Sequence, residues 1–442
     1  MDLKINPKSL TQKIPAFAGI LFNYLPFSIR LGNNYTKYSR LCDELIKADL
    51  RTRKTYIISN FNKIISHFKI NNSFYAQHLQ KSGSVLQEIR SPDEIAGIPL
   101  LNKKILREIP VADRSVLEHA YKQYNTGGTS GMPLSFYKEK GFYSREWAHM
   151  HYIWRKIGYK PNHTKITIRG KSLDRTYLYN FNQNEFIINS YHSFDRKDYE
   201  KLLRIFKRYN TEFIHGYPSS IYNFLKEASE KAPFLISFLK KNIKGIMFGS
   251  EFPSPHYRNF IEDLITGNTI SWYGHTEGVI LAGELYQKFE YVPLLSYGYA
   301  EAVKKDGHYH LAGTSFANLA APFIRYDTED LINPYFETDG SLKSFSIEEG
   351  RSGEFVIDKN NRNISLTALI FGRHHKLFDK ADFIQVKQNV PGVIIVYYSS
   401  KSPIDDPQSI FDSGNLDMDI LFRQISEPFK TPLGKIPLLI KD

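Results

Sequence analysis

Three glycines and three hydroxyl side chains stand together in Thr126, Gly127, Gly128, Thr129, Ser130 and Gly131, followed by Met132 and Pro133. A turn of this composition can aim successive backbone N–H groups into one concavity and add hydroxyl donors, which is the chemistry that holds a polyphosphate. It is not a Walker loop, because no Lys-Ser/Thr follows the second glycine. Taken by itself, the stretch also describes a solvated surface turn.

Further along the chain, Met247-Phe248-Gly249-Ser250-Glu251 reads as a strand running into a tight turn with room for a flat group. Ser271-Trp272-Tyr273-Gly274-His275-Thr276-Glu277-Gly278 reads as a strand that turns sharply and exposes a hydroxyl and a carboxylate together. The carboxylate of Glu277 is a hard oxygen ligand of the kind that suits Mg²⁺. Ile324-Arg325-Tyr326-Asp327-Thr328-Glu329-Asp330-Leu331 ends on an acid with two acceptor oxygens, the complement of a vicinal diol. Phe371-Gly372-Arg373-His374-His375-Lys376 and Phe429-Lys430-Thr431-Pro432-Leu433-Gly434-Lys435-Ile436 close the series.

In this order the segments resemble the motifs of the adenylate-forming superfamily, and most closely its phenylacetate–CoA ligase-like branch with the CapK-type capsule-biosynthesis proteins. The resemblance spans about residue 30 to the end. It implies that the loop grips the phosphates of ATP, with Met132 standing where a lysine is often found. It also implies that Gly249, Ser250 and Glu251 lie on the adenine side. Tyr273 lies against the adenine, with Gly274 and His275 beside it. Thr276 touches the α-phosphate, and Glu277 holds Mg²⁺. Asp330 receives the ribose hydroxyls, Arg373 contacts the nucleotide, and Lys435 bridges carboxylate and α-phosphate. In the hinge-like segment His375 and Lys376 replace the usual acidic pair, so the swivel residue does not carry over.

The implied reaction is attack of a carboxylate on ATP to give an acyl-adenylate and pyrophosphate. The acyl group then passes to an amine or another acceptor, in surface-polysaccharide biosynthesis. The alternative is transfer to CoA, and nothing in the sequence separates the two. The expected partners are a small carboxylic acid and an amine, sugar or thiol acceptor. His215, Gly216 and Tyr217, at a strand end and helix start, are placed in the acid pocket by position alone.

These residues need an α/β frame. From about residue 160, strand and helix patterns alternate, which implies a parallel sheet with covered faces and ligands beyond the strand carboxyl ends. The fold class is α/β. A large N-terminal domain of parallel-rich sheets and helices spans 1–371, mainly helical over 1–120, α/β over 121–300 and β-rich over 301–371. A small mobile α+β cap domain spans 372–442, with a strand over 393–398, an acidic loop at Asp405-Asp406-Pro407 and a helical stretch up to Ile425.

The remaining composition narrows the class. The chain has 442 residues, with 42% hydrophobic and 24% charged, which is globular. A single cysteine, Cys42, excludes an internal disulfide framework and a cysteine-rich zinc site. The histidine pairs His149/His151, His308/His310 and His374/His375 have no carboxylate at ligand spacing. The net charge of +12 comes from 58 Lys+Arg against 46 Asp+Glu, spread without a basic block. That keeps one reading from another class: a basic protein binding nucleic acid or an anionic membrane on a dead nucleotide fold. No secretory signal is evident, and the apolar stretch at 14–29, broken by Pro15, Asn23 and Pro26, falls short of the ~20 residues of a span. The expected location is the cytoplasm, with peripheral contact at the inner face of the membrane as the minor alternative.

Overall fold

The computed structural model describes residues 16–19, 25–81, 88–126, 134–169, 173–189, 192–305, 307–347, 355–366, 369–370, 375–381, 383–400, 402–414, 416–429 and 437–440. The N-terminal region is helical. Helix α1 (Asn33–Lys47) is followed by α2 (Leu50–Asn71) and α3 (Ser73–Lys81). Asp49 starts α2 by accepting a hydrogen bond from the Thr52 N–H at 2.7 Å. Ile57, Phe61, Ile64, Ile65 and Phe68 fall on one stripe of α2 and are buried. Phe61 meets Tyr299 and Phe316 edge to face, so this helix covers the β-rich part that follows much later in the chain.

Strands β1 (Lys122–Asn125) and β2 (Ser135–Lys138) pair antiparallel, and helix α4 (Phe142–Trp154) follows. The central sheet is then built in order from β3 (Thr164–Ile168), β4 (Tyr177–Asn180), β5 (Glu185–Ile188), helix α5 (Arg196–Arg208) and β6 (Thr211–Gly216). Helices α6 (Pro218–Lys231) and α7 (Pro233–Asn242) lead to β7 (Gly245–Phe248). Helix α8 (Pro255–Leu264) leads to β8 (Thr269–Gly274), then β9 (Leu281–Gly283) and β10 (Val292–Pro293). The eight strands lie in the order β10-β9-β8-β7-β6-β3-β5-β4. The inner pairings from β5 to β8 are parallel, and β4, β9 and β10 add antiparallel edges. Every residue of β3, β5 and β7 is buried, as a sheet with covered faces requires. Asp195 and Asp198 form a reciprocal capping box on α5.

A four-stranded antiparallel sheet follows: β11 (Gly298–Lys305), β12 (His308–Ser315), β13 (Tyr326–Phe336) and β14 (Leu342–Ile347). The C-terminal part holds a hairpin of β15 (Phe355–Ile357) and β16 (Asn363–Ser365), then β17 (Phe383–Val390), β18 (Val393–Ser399) and β19 (Asp419–Gln424). Here one expectation fails. The stretch before Ile425 was expected to be helical, but it is strand β19, paired parallel to β18. Ile420 is buried and Leu421 is half exposed, so alternation along an edge strand sets the pattern. The core of this part joins Val356, Ile364, Leu366 and Ile370 to Leu377, Ile384, Val396 and Leu438. It therefore runs continuously across residue 371. No helix among the described residues is long and apolar enough to cross a membrane.

Candidate active site

The parallel strands β3, β6, β7 and β8 end on one side of the sheet, and the segments 215–217, 249–251 and 273–277 sit at those ends. Strand β8 is fixed from behind by a buried ion pair. Arg258 on α8 donates two hydrogen bonds to Glu284, at 2.7 and 2.9 Å. The same carboxylate accepts the backbone N–H groups of Ser271 and Phe289. With Ser271 held, Tyr273 two residues on projects from a rigid strand end.

Its hydroxyl donates to Asp330 Oδ2 at 2.7 Å, across 57 positions of sequence. The segment carrying Asp330 is itself anchored. Arg325, in the left-handed region at φ 47°, donates to both oxygens of Glu301 and to the carbonyls of Ala96 and Ile98. The residues assigned to adenine and ribose are thus neighbours.

Past Gly274 the chain turns, and the Gly278 N–H bonds back to the His275 carbonyl at 3.0 Å. Gly278 has φ +69°, and a Cβ there would lie 2.4 Å from the Phe142 ring, so only glycine fits the turn. Glu277 is buried inside it. It accepts a hydrogen bond from the Tyr326 hydroxyl at 2.9 Å and lies 3.2 Å from His275 Nδ1. Burial opposes its charge, but the hydrogen bond and charge of His275, then the charge of Lys103, hold the carboxyl well below the usual carboxylate range. Thr276 is half buried beside it. The described residues contain no cluster of three or more His, Cys, Asp or Glu side chains that could hold a metal. A single hard carboxylate still fits Mg²⁺, which keeps several waters and takes most of its other ligands from a substrate's phosphates.

Of the glycine-rich loop, Thr126 lies within the described residues; Gly127, Gly128, Thr129, Ser130 and Gly131 lie outside them. Thr126 is buried and closes the stem of the loop. Its N–H donates to the Leu134 carbonyl and its hydroxyl accepts the Leu134 N–H, both at 2.9 Å. A run of edge-to-face rings, Phe136 on Phe323 and Phe323 on Tyr326, sets this stem against Glu277. Arg373 and Lys435 also fall outside the described residues.

At the end of β7, a Cβ on Gly249 would lie 2.0 Å from the Trp272 ring. One flat group that packs against this turn is the Trp272 indole. Ser250 adopts φ 65° and is exposed. Glu251 is buried, and its Oε2 accepts both the N–H and the hydroxyl of Ser219, in the first turn of α6. Its carboxylate therefore caps a helix.

His215 lies near the end of β6, stacked on Trp272 with centroids 5.7 Å apart and tilted against Trp154 at 4.9 Å. Burial pushes its pKa down to about 3, so the ring is neutral. Its Nδ1 has no hydrogen-bond partner among the described residues. The Gly216 carbonyl accepts the Gly249 N–H, and Tyr217, half buried, caps α6. The sequence reading did not pick out Trp154, Lys138 or Arg145. Their positions depend on packing between distant elements, which no local spacing encodes.

Solved structures show the fold to which this arrangement belongs. No family model matches the chain. A 2-hydroxyisobutyryl-CoA ligase, solved with 2-HIB-AMP and CoA in its thioesterification state, superposes with TM-score 0.55 over 89% of this chain and 90% of its own, at 14% identity. An open conformation of that ligase with the same ligands gives 0.51 over 88% and 91%, at 13% identity. The chain has the adenylate-forming enzyme fold. Among curated proteins it is similar to the protein CapK of Staphylococcus aureus, at 22% identity over 408 residues and 86% of each chain. The resemblance to CapK-type proteins read from the motifs has its counterpart in this relative.

Proposed function

We propose that this chain is an adenylate-forming ligase. It activates a carboxylic acid with ATP, releases pyrophosphate and passes the acyl group to an amine or other acceptor in surface-polysaccharide biosynthesis. The observation that carries the reading is the Tyr273–Asp330 hydrogen bond beside buried Glu277. It unites three residues that the motif order assigns to adenine, ribose and metal, at the strand ends where such folds bind ligands.

The chemistry is mainly positioning and charge neutralisation. A carboxylate nearing the α-phosphorus meets like charge. Two unit charges ~4 Å apart repel by about 4 kcal/mol at an effective dielectric of about 20. The backbone and hydroxyl donors of 127–131, the Thr126 hydroxyl, Thr276 and the Lys435 ammonium would offset this repulsion. Asp330 would accept the ribose hydroxyls, Tyr273 would flank the base, and Arg373 would contact the nucleotide. Glu277 would hold Mg²⁺, whose charge when bound lowers the phosphate repulsion. No enzyme nucleophile is needed.

A small C-terminal unit beyond about residue 371, moving between the two half-reactions, belongs to the same proposal. So does a cytoplasmic location, where ATP is supplied, with any membrane contact peripheral. The second reading, transfer to CoA, is favoured by the CoA bound in the 2-hydroxyisobutyryl-CoA ligase complexes.

A pyrophosphate-release screen with ATP and Mg²⁺ across aryl, fatty, amino and uronic acids tests the first step. One acid should raise release at least tenfold over background, and a flat screen counts against the reading. Adding CoA or amines to the active acid, with thioester and amide read by mass spectrometry, decides the acceptor.

A further inference from the structure

We propose that Lys138 and Arg145 form a buried seat for a polyphosphate: the β,γ-phosphates of ATP before cleavage, and inorganic pyrophosphate after it. The inference rests on the ligase reading above and adds two residues to its site.

Lys138, the last residue of β2, is 7% exposed. Its Nζ lies 3.6 Å from the centre of the Phe142 ring and 4.7 Å from that of Tyr124. It makes no ion pair among the described residues. Arg145, one turn into α4, is 2% exposed and lies over the same Phe142 ring, at 4.8 Å, and over Tyr297, at 4.6 Å. One of its N–H groups reaches the Tyr297 carbonyl at 3.4 Å. Its Nε and Nη2 have no partner among the described residues. Glu146 and Glu139 are the nearby carboxylates; Glu146 already accepts the Tyr297 hydroxyl at 2.8 Å and Glu139 the Leu319 N–H at 3.3 Å.

Two buried cations on one ring are costly. Aromatic faces offset part of that cost, but unpaired donors and charges in a dry site call for an anion. Phe142 also fixes where the anion would sit, because its ring occupies the space beside Gly278, the residue after Glu277. The ring that carries both cations therefore abuts the turn that holds the proposed metal ligand. Lys138, Arg145 and Lys103 balance Glu139, Glu146 and Glu277. Adding Mg²⁺ on Glu277 leaves two positive charges, which a polyphosphate neutralises and a lone carboxylate does not. Residues 126–133 contain hydroxyls but no Lys or Arg, so the seat supplies cations where that segment has none.

The test is calorimetric titration of inorganic pyrophosphate, with MgCl₂ present, into the full chain and into Lys138→Met, Lys138→Arg and Arg145→Lys. Removing one charge-assisted contact should weaken pyrophosphate about ten- to a hundredfold and change AMP affinity less than twofold. Lys138→Arg should retain binding. Lys138→Met removes a buried charge without leaving a cavity, so its Tm should equal or exceed that of the wild type. Unchanged pyrophosphate affinity in Lys138→Met, an equal loss of AMP, or no pyrophosphate binding by the wild type each overturns the seat. If the wild type releases pyrophosphate from ATP while Lys138→Met binds it normally, the seat falls and the ligase reading stands. If Lys138 governs pyrophosphate binding but no acid elicits turnover, the ligase reading falls and the seat stands.

Discussion

A single buried carboxylate can carry a large share of local stability, and Glu185 is the clearest case. It sits under His215 with its oxygens taken by the Thr167 hydroxyl at 2.6 Å and the Asn180 amide at 2.8 Å, and with Lys165 3.8 Å away. Burial works to raise its pKa. The charges of Lys165 and Arg169 and the Thr167 hydrogen bond outweigh that and hold it at about 2, against an ordinary 4.5. The folded value lies below the unfolded one, so the unfolded chain takes up the proton first as pH falls. The stabilisation is complete above pH 4.5 and is lost between there and about pH 2. Glu185→Gln leaves Lys165 buried beside a neutral group, and should cost about 3–5 kcal/mol at pH 7. Urea midpoints of wild type and variant should converge below pH 4.5; a gap that stays constant down to pH 3 would remove this pair from the acid limb.

Elements hold the site through a few long-range ties, among them the buried Arg258–Glu284 pair that joins α8, β8 and the chain after β9. Arg258→Met strips Glu284 of its counter-charge in a dry environment, and about 3–5 kcal/mol of stability should go with it. Because Ser271 is released too, ATP affinity should fall even where the protein remains folded, and nucleotide titration at low temperature reads this directly. An affinity equal to wild type would show that β8 is placed without the pair. Such ties explain which parts of the fold can be read from sequence. Strands β3, β6, β7 and β8 are legible because short runs rich in Ile, Thr and aromatic residues end in Gly or Pro turns. Helix α5 is legible because Asp195 caps an amphipathic run. Strand β19 is not, since Ile420, Leu421 and Phe422 form a short apolar run that suits either periodicity until β18 pairs with it. In the site, Tyr273, Glu277 and Asp330 are legible through motif order. The helix-capping role of Glu251, the Trp272 ring against Gly249, and Lys138 with Arg145 arise only when distant elements pack.

At the scale of the whole molecule, the proposed function divides the motifs between a large N-terminal part and a small C-terminal part. The glycine loop stem, Tyr273, Glu277 and Asp330 belong to the part built on the central and antiparallel sheets. Arg373 and Lys435 lie in the C-terminal stretch, whose core gathers Val356, Val396 and Leu438. One contact between the two parts is made by Asn223 of α6, which donates to the Asn363 carbonyl at β16. On the proposed reading, a ligase so divided would hold its nucleotide in one part and deliver its lysine from the other. The two half-reactions then need different residues. Lys435→Ala should therefore lower pyrophosphate release by at least a hundredfold, since it removes the one ammonium that the motifs place between carboxylate and α-phosphate. Transfer from a chemically prepared acyl-adenylate to the acceptor should stay within about threefold of wild type, because the phosphate repulsion has already been overcome in that substrate. Measuring both rates on one preparation makes folding defects visible as a loss of both. A variant that adenylates at the wild-type rate would take Lys435 out of the first step.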